Sequence, residues 1–159
     1  MKGAGSGMRE RPGLSVSEGL AIQGEVYIEI RRRGKLVGTW HDQNMVMLQG
    51  KANIAKLFAG ETGFHATHVG FGTNPEAASP DNADLENKVV KEISEKEYHT
   101  PTAVRCHFEL EEDDAVGMNI REFGLFCADG TLFSRRTRPE GLQKTDQESI
   151  RGYWQIRFA

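Results

Sequence analysis

The chain has 159 residues, 38% of them hydrophobic and 27% charged, and its 20 Lys and Arg against 23 Asp and Glu leave a formal charge of -3. A chain of this length and composition buries its own core, which excludes folds that depend on disulfide staples or a structural metal, and it has no overall cationic field to gather nucleic acid or anionic lipid. No apolar run approaches the roughly 20 residues needed to span a bilayer, so the chain is expected in a cytoplasm or in a particle assembled there, without a nucleic-acid or membrane partner.

Residues 1–20, MKGAGSGMRERPGLSVSEGL, are rich in Gly and Ser and carry almost no apolar periodicity. They are expected to form a flexible arm, either a disordered terminus or a segment that orders against a partner subunit. Residues 21–159 are expected to form a single domain. Val26, Ile28 and Ile30 alternate with Glu25, Tyr27, Glu29 and Arg31 in the pattern of a half-buried strand. Arg33-Gly34 offers a tight turn, and residues 35–40 return as the second strand of a hairpin. Leu48, Ala52, Ala55 and Phe58 or Ala59 recur at helical spacing, which predicts one helix over about residues 48–59 closed by Gly60.

Residues 66–73 read as a short strand. A loop with Pro75 and Pro80 follows, in which residues 79–84 suit one helical turn over Leu85. Residues 88–94 read as a strand extending toward His99, and four more strands are expected over residues 103–110, 120–128, 131–136 and 149–158. Asp129-Gly130 between apolar runs marks a hairpin. The repeated alternation predicts a mostly β protein, an antiparallel β-sandwich with one helix.

No catalytic, cofactor or metal site is assigned by residue pattern. Cys106 and Cys127 lack CxxC spacing and lie in strand-like runs, so they read as core thiols rather than a disulfide or a reactive pair. His65 and His68 are three apart in a strand context, which puts them on opposite faces. The acidic run at Glu109, Glu111, Glu112, Asp113 and Asp114 lacks the EF-hand pattern and reads as a solvated turn. Gly70-Phe71-Gly72-Thr73 lacks the remaining signature of a phosphate-binding loop. The basic groups Arg31, Arg32, Arg33 with Lys35, and Arg135, Arg136 with Arg138, are either solvated charge or contacts to an acidic neighbour, such as the 109–114 turn of a second copy. Phe123 and Leu125 share one face of a strand while Ile120 and Phe126 occupy the other, so that strand is buried on both sides or covered by a partner. Arg31, Arg32, Arg33, Phe123, Leu125, Arg135 and Arg136 are therefore the candidate interface residues.

His68-Val69-Gly70-Phe71-Gly72-Thr73-Asn74, then Pro75, Pro80-Asp81 and Leu85, resemble segments of small tailed-bacteriophage structural proteins and of the attachment-end domains of tail-fibre and baseplate proteins. So do Ile120-Arg121-Glu122-Phe123-Gly124-Leu125-Phe126, Asp129-Gly130-Thr131-Leu132-Phe133-Ser134-Arg135 and the closing Gly152-Tyr153-Trp154-Gln155-Ile156-Arg157-Phe158. The likeness covers residues 41–159. It implies a non-enzymatic virion protein of the tail, forming homo-oligomers and binding tail tube, baseplate, neck or fibre proteins. Such a protein would reside in the virion tail, and in the host cytoplasm during assembly. A different class, a carbohydrate-binding β-sandwich, would instead use Trp40, Tyr98 or Tyr153 as stacking platforms.

Overall fold

A computed structural model describes residues 21–159. The expected arm, residues 1–20, lies outside the described residues. The described residues form nine strands and one helix: β1 (Ile22–Arg32), β2 (Lys35–Val46), α1 (Leu48–Phe58), β3 (Ala66–Gly72), β4 (Val89–Glu92), β5 (Glu95–Thr100), β6 (Ala103–Leu110), β7 (Asn119–Cys127), β8 (Leu132–Gln143) and β9 (Glu148–Phe158). They form one antiparallel sheet in the order β4-β3-β7-β8-β2-β1-β9-β6-β5.

The sheet curls over a shared core. Val26, Ile28, Phe108, Ile150 and Trp154 come from one arm, and Val69, Phe71, Phe123, Leu125 and Leu142 from the other, all buried in one cluster. Phe71 and Phe108 meet across it with ring centroids 5.6 Å apart. Two crossings join the arms. β2 pairs with β1 through Lys35 to Asn44 and then with β8 at Met45 and Val46. On the opposite side the run expected over residues 88–94 is two strands, because the chain passes from β4 against β3 to β5 against β6 through Ile93 and Ser94 alone. Strands that switch layers at a corner let one sheet enclose a core.

Local chemistry accounts for the turns. Arg33 at φ 52 and Gly34 at φ 82 form the two-residue turn between β1 and β2, a geometry that suits the sheet's twist. After β7, Gly130 takes φ 89, and the Asp129 carboxylate accepts from Thr131 N–H at 3.2 Å and Thr131 Oγ1 at 2.6 Å.

Three expectations need correction. The helix forms where its spacing placed it, but Leu48, Ala52, Ala55 and Phe58 point outward, and the buried residues are Gly50 and Asn53. The reason is close approach: a Cβ at Gly50 would stand 2.6 Å from the Phe133 carbonyl oxygen, while Asn53 donates to Asp129 at 3.1 Å. Residues 79–84 form no helical turn, since the Asn82 side-chain oxygen accepts from Ser79 N–H at 2.9 Å and closes a simple turn. Ile120 joins Phe123 and Leu125 in the main core, because a register shift between Ile120 and Glu122 rotates it to that face.

Candidate functional site

The two faces of β7 have different covers. Glu122, Gly124 and Phe126 look away from the main core, onto residues 73–88. Glycines make room there: a Cβ at Gly70 would meet Phe126 at 2.6 Å and one at Gly124 would meet Leu132 at 2.8 Å. Leu85 fills that space and clusters with Met47, Phe126 and Leu132.

A polar network fastens this cover. Arg135, 1% exposed, donates from Nε to Glu122 at 2.7 Å, from one terminal nitrogen to Asn82 Oδ1 at 2.8 Å, and from the other to the Glu76 and Asn74 carbonyls at 2.9 and 3.3 Å. The second Glu122 oxygen accepts from Asn74 N–H at 2.9 Å and Glu86 N–H at 2.8 Å. A buried charge is tolerated when it is paired and its remaining lone pairs and protons are satisfied. Asn74, Asn82, Glu122 and Arg135 stand within or beside the segments that carry the phage-protein resemblance, and they meet in this one cluster.

The candidate interface residues therefore divide. Phe123 and Leu125 belong to the core at 0% and 1% exposure, and Arg135 is consumed by the network, so the doubly apolar strand is covered by its own chain. Arg136 pairs with Asp42 at 2.5 Å. Arg31 pairs with Glu29 at 2.9 Å, Arg32 with Glu148 at 2.5 Å, and Arg33 bonds Gln147 at 2.6 Å, all near the tip of the first hairpin. The acidic turn sits at the same end, since Glu148 opposes Arg32 and Ile150 opposes Leu110. Basic tip against acidic turn in a second copy would thus join like ends. The turn is also held from within. Burial works against the Asp114 carboxylate, but Lys91 at 2.7 Å and the Glu111 N–H at 2.8 Å keep it below its ordinary range.

The opposite end is apolar. A cavity of about 380 Å³ opens between the arms there, with Ile54 and Leu57 of α1, Phe64, Tyr98, Phe133 and Phe158 among its walls. Cys106 and Cys127 also line it, both free and buried, and burial pushes the Cys106 thiol up to about 11. Its polar wall residues are Lys96 and His65, and Lys96 Nζ donates to the Ala66 carbonyl at 2.5 Å. Of its wall residues Tyr98 is 82% exposed, Phe158 44% and Leu57 40%, and Phe58, next to Leu57 at the end of α1, is 94% exposed. Clustered exposed apolar side chains mark a contact surface.

Of the three aromatic platforms, only Tyr98 stands open. Trp40 packs on Phe123 at 5.4 Å, and Tyr153 lies between Tyr27 at 5.3 Å and His107 at 5.9 Å with Arg105 over its ring. Sequence reasoning passed over the apolar mouth because its walls come from α1 and six strands. It also passed over the network, although a charge at Glu122 in phase with Gly124 and Phe126 already demanded a buried partner.

Among the described residues, no group of three or more His, Cys, Asp and Glu is placed to hold a metal ion, and no helix is long and apolar enough to cross a membrane. Comparison with protein-family models, with curated proteins and with solved structures found no match.

Proposed function

We propose that this chain is a structural protein of a tailed-bacteriophage tail, an adaptor that acts by assembly with other virion proteins and catalyses nothing. In this reading the curled sheet serves as a sandwich-like body that positions one sticky end. The observation that carries it is the apolar rim of the cavity, where Leu57, Tyr98 and Phe158 stand exposed, with the exposed Phe58 next to Leu57 in the chain. A chain that leaves a large aromatic ring almost wholly in water beside an apolar opening gains free energy by covering it with a partner, at roughly 25 cal/mol per Å² of apolar surface removed from water.

The resemblance supplies the class of partner, and the buried network supports it from another side. The motif residues Asn74, Glu122 and Arg135, with Asn82 beside the motif, spend their hydrogen bonds on each other and on the backbone of residues 74–86, a structural employment.

Mass spectrometry of purified virions, combined with light scattering of the isolated chain over a concentration series, tests the reading. The expected result is a fixed copy number per particle and defined multimers that Phe58→Asp weakens. Absence from virions, with a monomer at every concentration, would overturn it.

A further inference from the structure

The cavity between the arms is graded in polarity from floor to mouth. Its buried lining residues are Cys106, Leu125, Cys127, Phe133 and Ile156. Burial raises both thiols, Cys106 to about 11, so this floor carries no charge at neutral pH. The exposed lining residues are Leu57, Tyr98 and Phe158 with two basic side chains, His65 and Lys96. Among the described residues no Asp or Glu lines the cavity.

Size and lining together select a class of molecule. At about 380 Å³ the space falls within the range of small-molecule sites, which are mostly apolar with a few placed polar groups. With each chain carbon taking about a water's share of liquid volume, 30 Å³, it holds on the order of ten carbons. A two-chain lipid of roughly thirty chain carbons needs more than twice this volume. Water is a poor occupant, because a buried water needs about two to four polar partners and the thiols and apolar side chains of the floor do not offer them.

At the mouth, Lys96 selects the head group. Its ammonium has three N–H groups and, among the described residues, makes one hydrogen bond, to the Ala66 carbonyl at 2.5 Å, which leaves two for a ligand. Glu95 and Glu97 alternate with Lys96 along β5 and so face away from it. Glu92 shares a shallower hollow with Lys96 but is exposed, where water and salt screen it.

We propose that the cavity is a binding site for a single-chain amphiphile with an anionic head, a straight-chain fatty carboxylate of about ten carbons, its chain lying over Cys106, Cys127 and Phe133 and its carboxylate on Lys96. The inference goes beyond the assembly reading and does not rest on it, since the isolated chain suffices for the test.

The test is isothermal titration calorimetry of the full chain near neutral pH, with displacement of 1-anilinonaphthalene-8-sulfonate, a dye that reports accessible apolar surface, as a second readout. Decanoate below its micellar concentration should bind one per chain, and each methylene added from octanoate to decanoate should tighten binding about fourfold. Lys96→Gln, at an exposed position, should weaken decanoate about fivefold or more and leave neutral decanol within about twofold, whereas Lys96→Arg keeps decanoate near the wild-type affinity. Val104→Phe, which fills part of the cavity, should weaken decanoate and decanol alike, by about tenfold. Decyltrimethylammonium, the same chain with a cationic head, should bind about tenfold more weakly than decanoate. No saturable binding of decanoate, equal affinities for octanoate and decanoate, or equal losses of decanoate and decanol in Lys96→Gln would each overturn the proposal. So would unchanged binding by a folded Val104→Phe, or a cationic amphiphile bound as tightly as decanoate.

Discussion

The sealed outer face of β7 and β8 and the open apolar end are built from the same strands, yet they solve the problem of exposed apolar surface in opposite ways. On the outer face, residues 73–88 lie over Gly70, Gly124 and Phe126, with Leu85 as the apolar plug and Arg135 with Glu122 as the fastening. At the other end no equivalent loop arrives among the described residues, and Leu57, Phe58, Tyr98 and Phe158 are left at the rim. A chain able to seal one face with its own loop has that device at hand. The unsealed end is where an interaction is expected.

The largest effect should come from the fastening. Arg135→Met leaves the Glu122 carboxylate buried without its cation and should cost about 3 to 5 kcal/mol, read as a lower denaturant midpoint. Replacing both partners, Glu122→Leu with Arg135→Met, should cost much less, which separates the loss of a partner from the loss of the pair. If the single and double variants are equally unstable, the network is not what seals this face.

Next comes the seat of the helix. Gly50→Ala puts a Cβ 2.6 Å from backbone, so α1 must shift on β8, at a cost of about 1 to 3 kcal/mol in thermal or denaturant unfolding. Because Ile54 and Leu57 line the cavity, the same change should alter dye binding there.

A smaller effect is set by pH at the hairpin end. Burial opposes ionisation of Glu148, but bonds from the Thr145 hydroxyl and N–H, at 2.7 and 2.9 Å, with Arg32 beside it, hold its carboxyl below the ordinary range. A depressed folded-state value means stability that is present above the unfolded carboxylate pKa of about 4.3 and lost as pH falls through the folded one. The stability gap between wild type and Glu148→Gln should therefore be open at pH 7 and close below about pH 4. A gap that does not change with pH would contradict this. Smallest of all, Phe58→Ser should move the isolated chain's stability by less than about 0.5 kcal/mol while weakening assembly, because the ring touches water and not the core.

Much of the fold was legible from period-two patterning. Val26 and Ile28, the Asp129-Gly130 turn and the alternation from Ile150 to Ile156 all follow from residue type and spacing, because strand faces and tight turns are local. The helix shows the limit. Its position followed from spacing, but its buried side did not, since Gly50 and Asn53 face the sheet for reasons of close approach and a hydrogen bond to Asp129, both contacts across the fold. The single curled sheet was equally out of reach, because it depends on β2 changing partners at Met45 and on the turn of direction at Ile93 and Ser94. What covers β7 was not legible either: Phe123 and Leu125 are buried in the chain's own main core, while Phe126 and Arg135 lie under or within residues 73–88, and both covers are contacts across the fold.

The most direct test of the contrast is amide hydrogen exchange on the free chain and on the chain within the assembled particle. Protection gained at residues 56–66 and 95–100, with residues 73–88 unchanged, is the predicted result. Protection gained at residues 73–88 while the apolar end exchanges as freely as before would contradict the account.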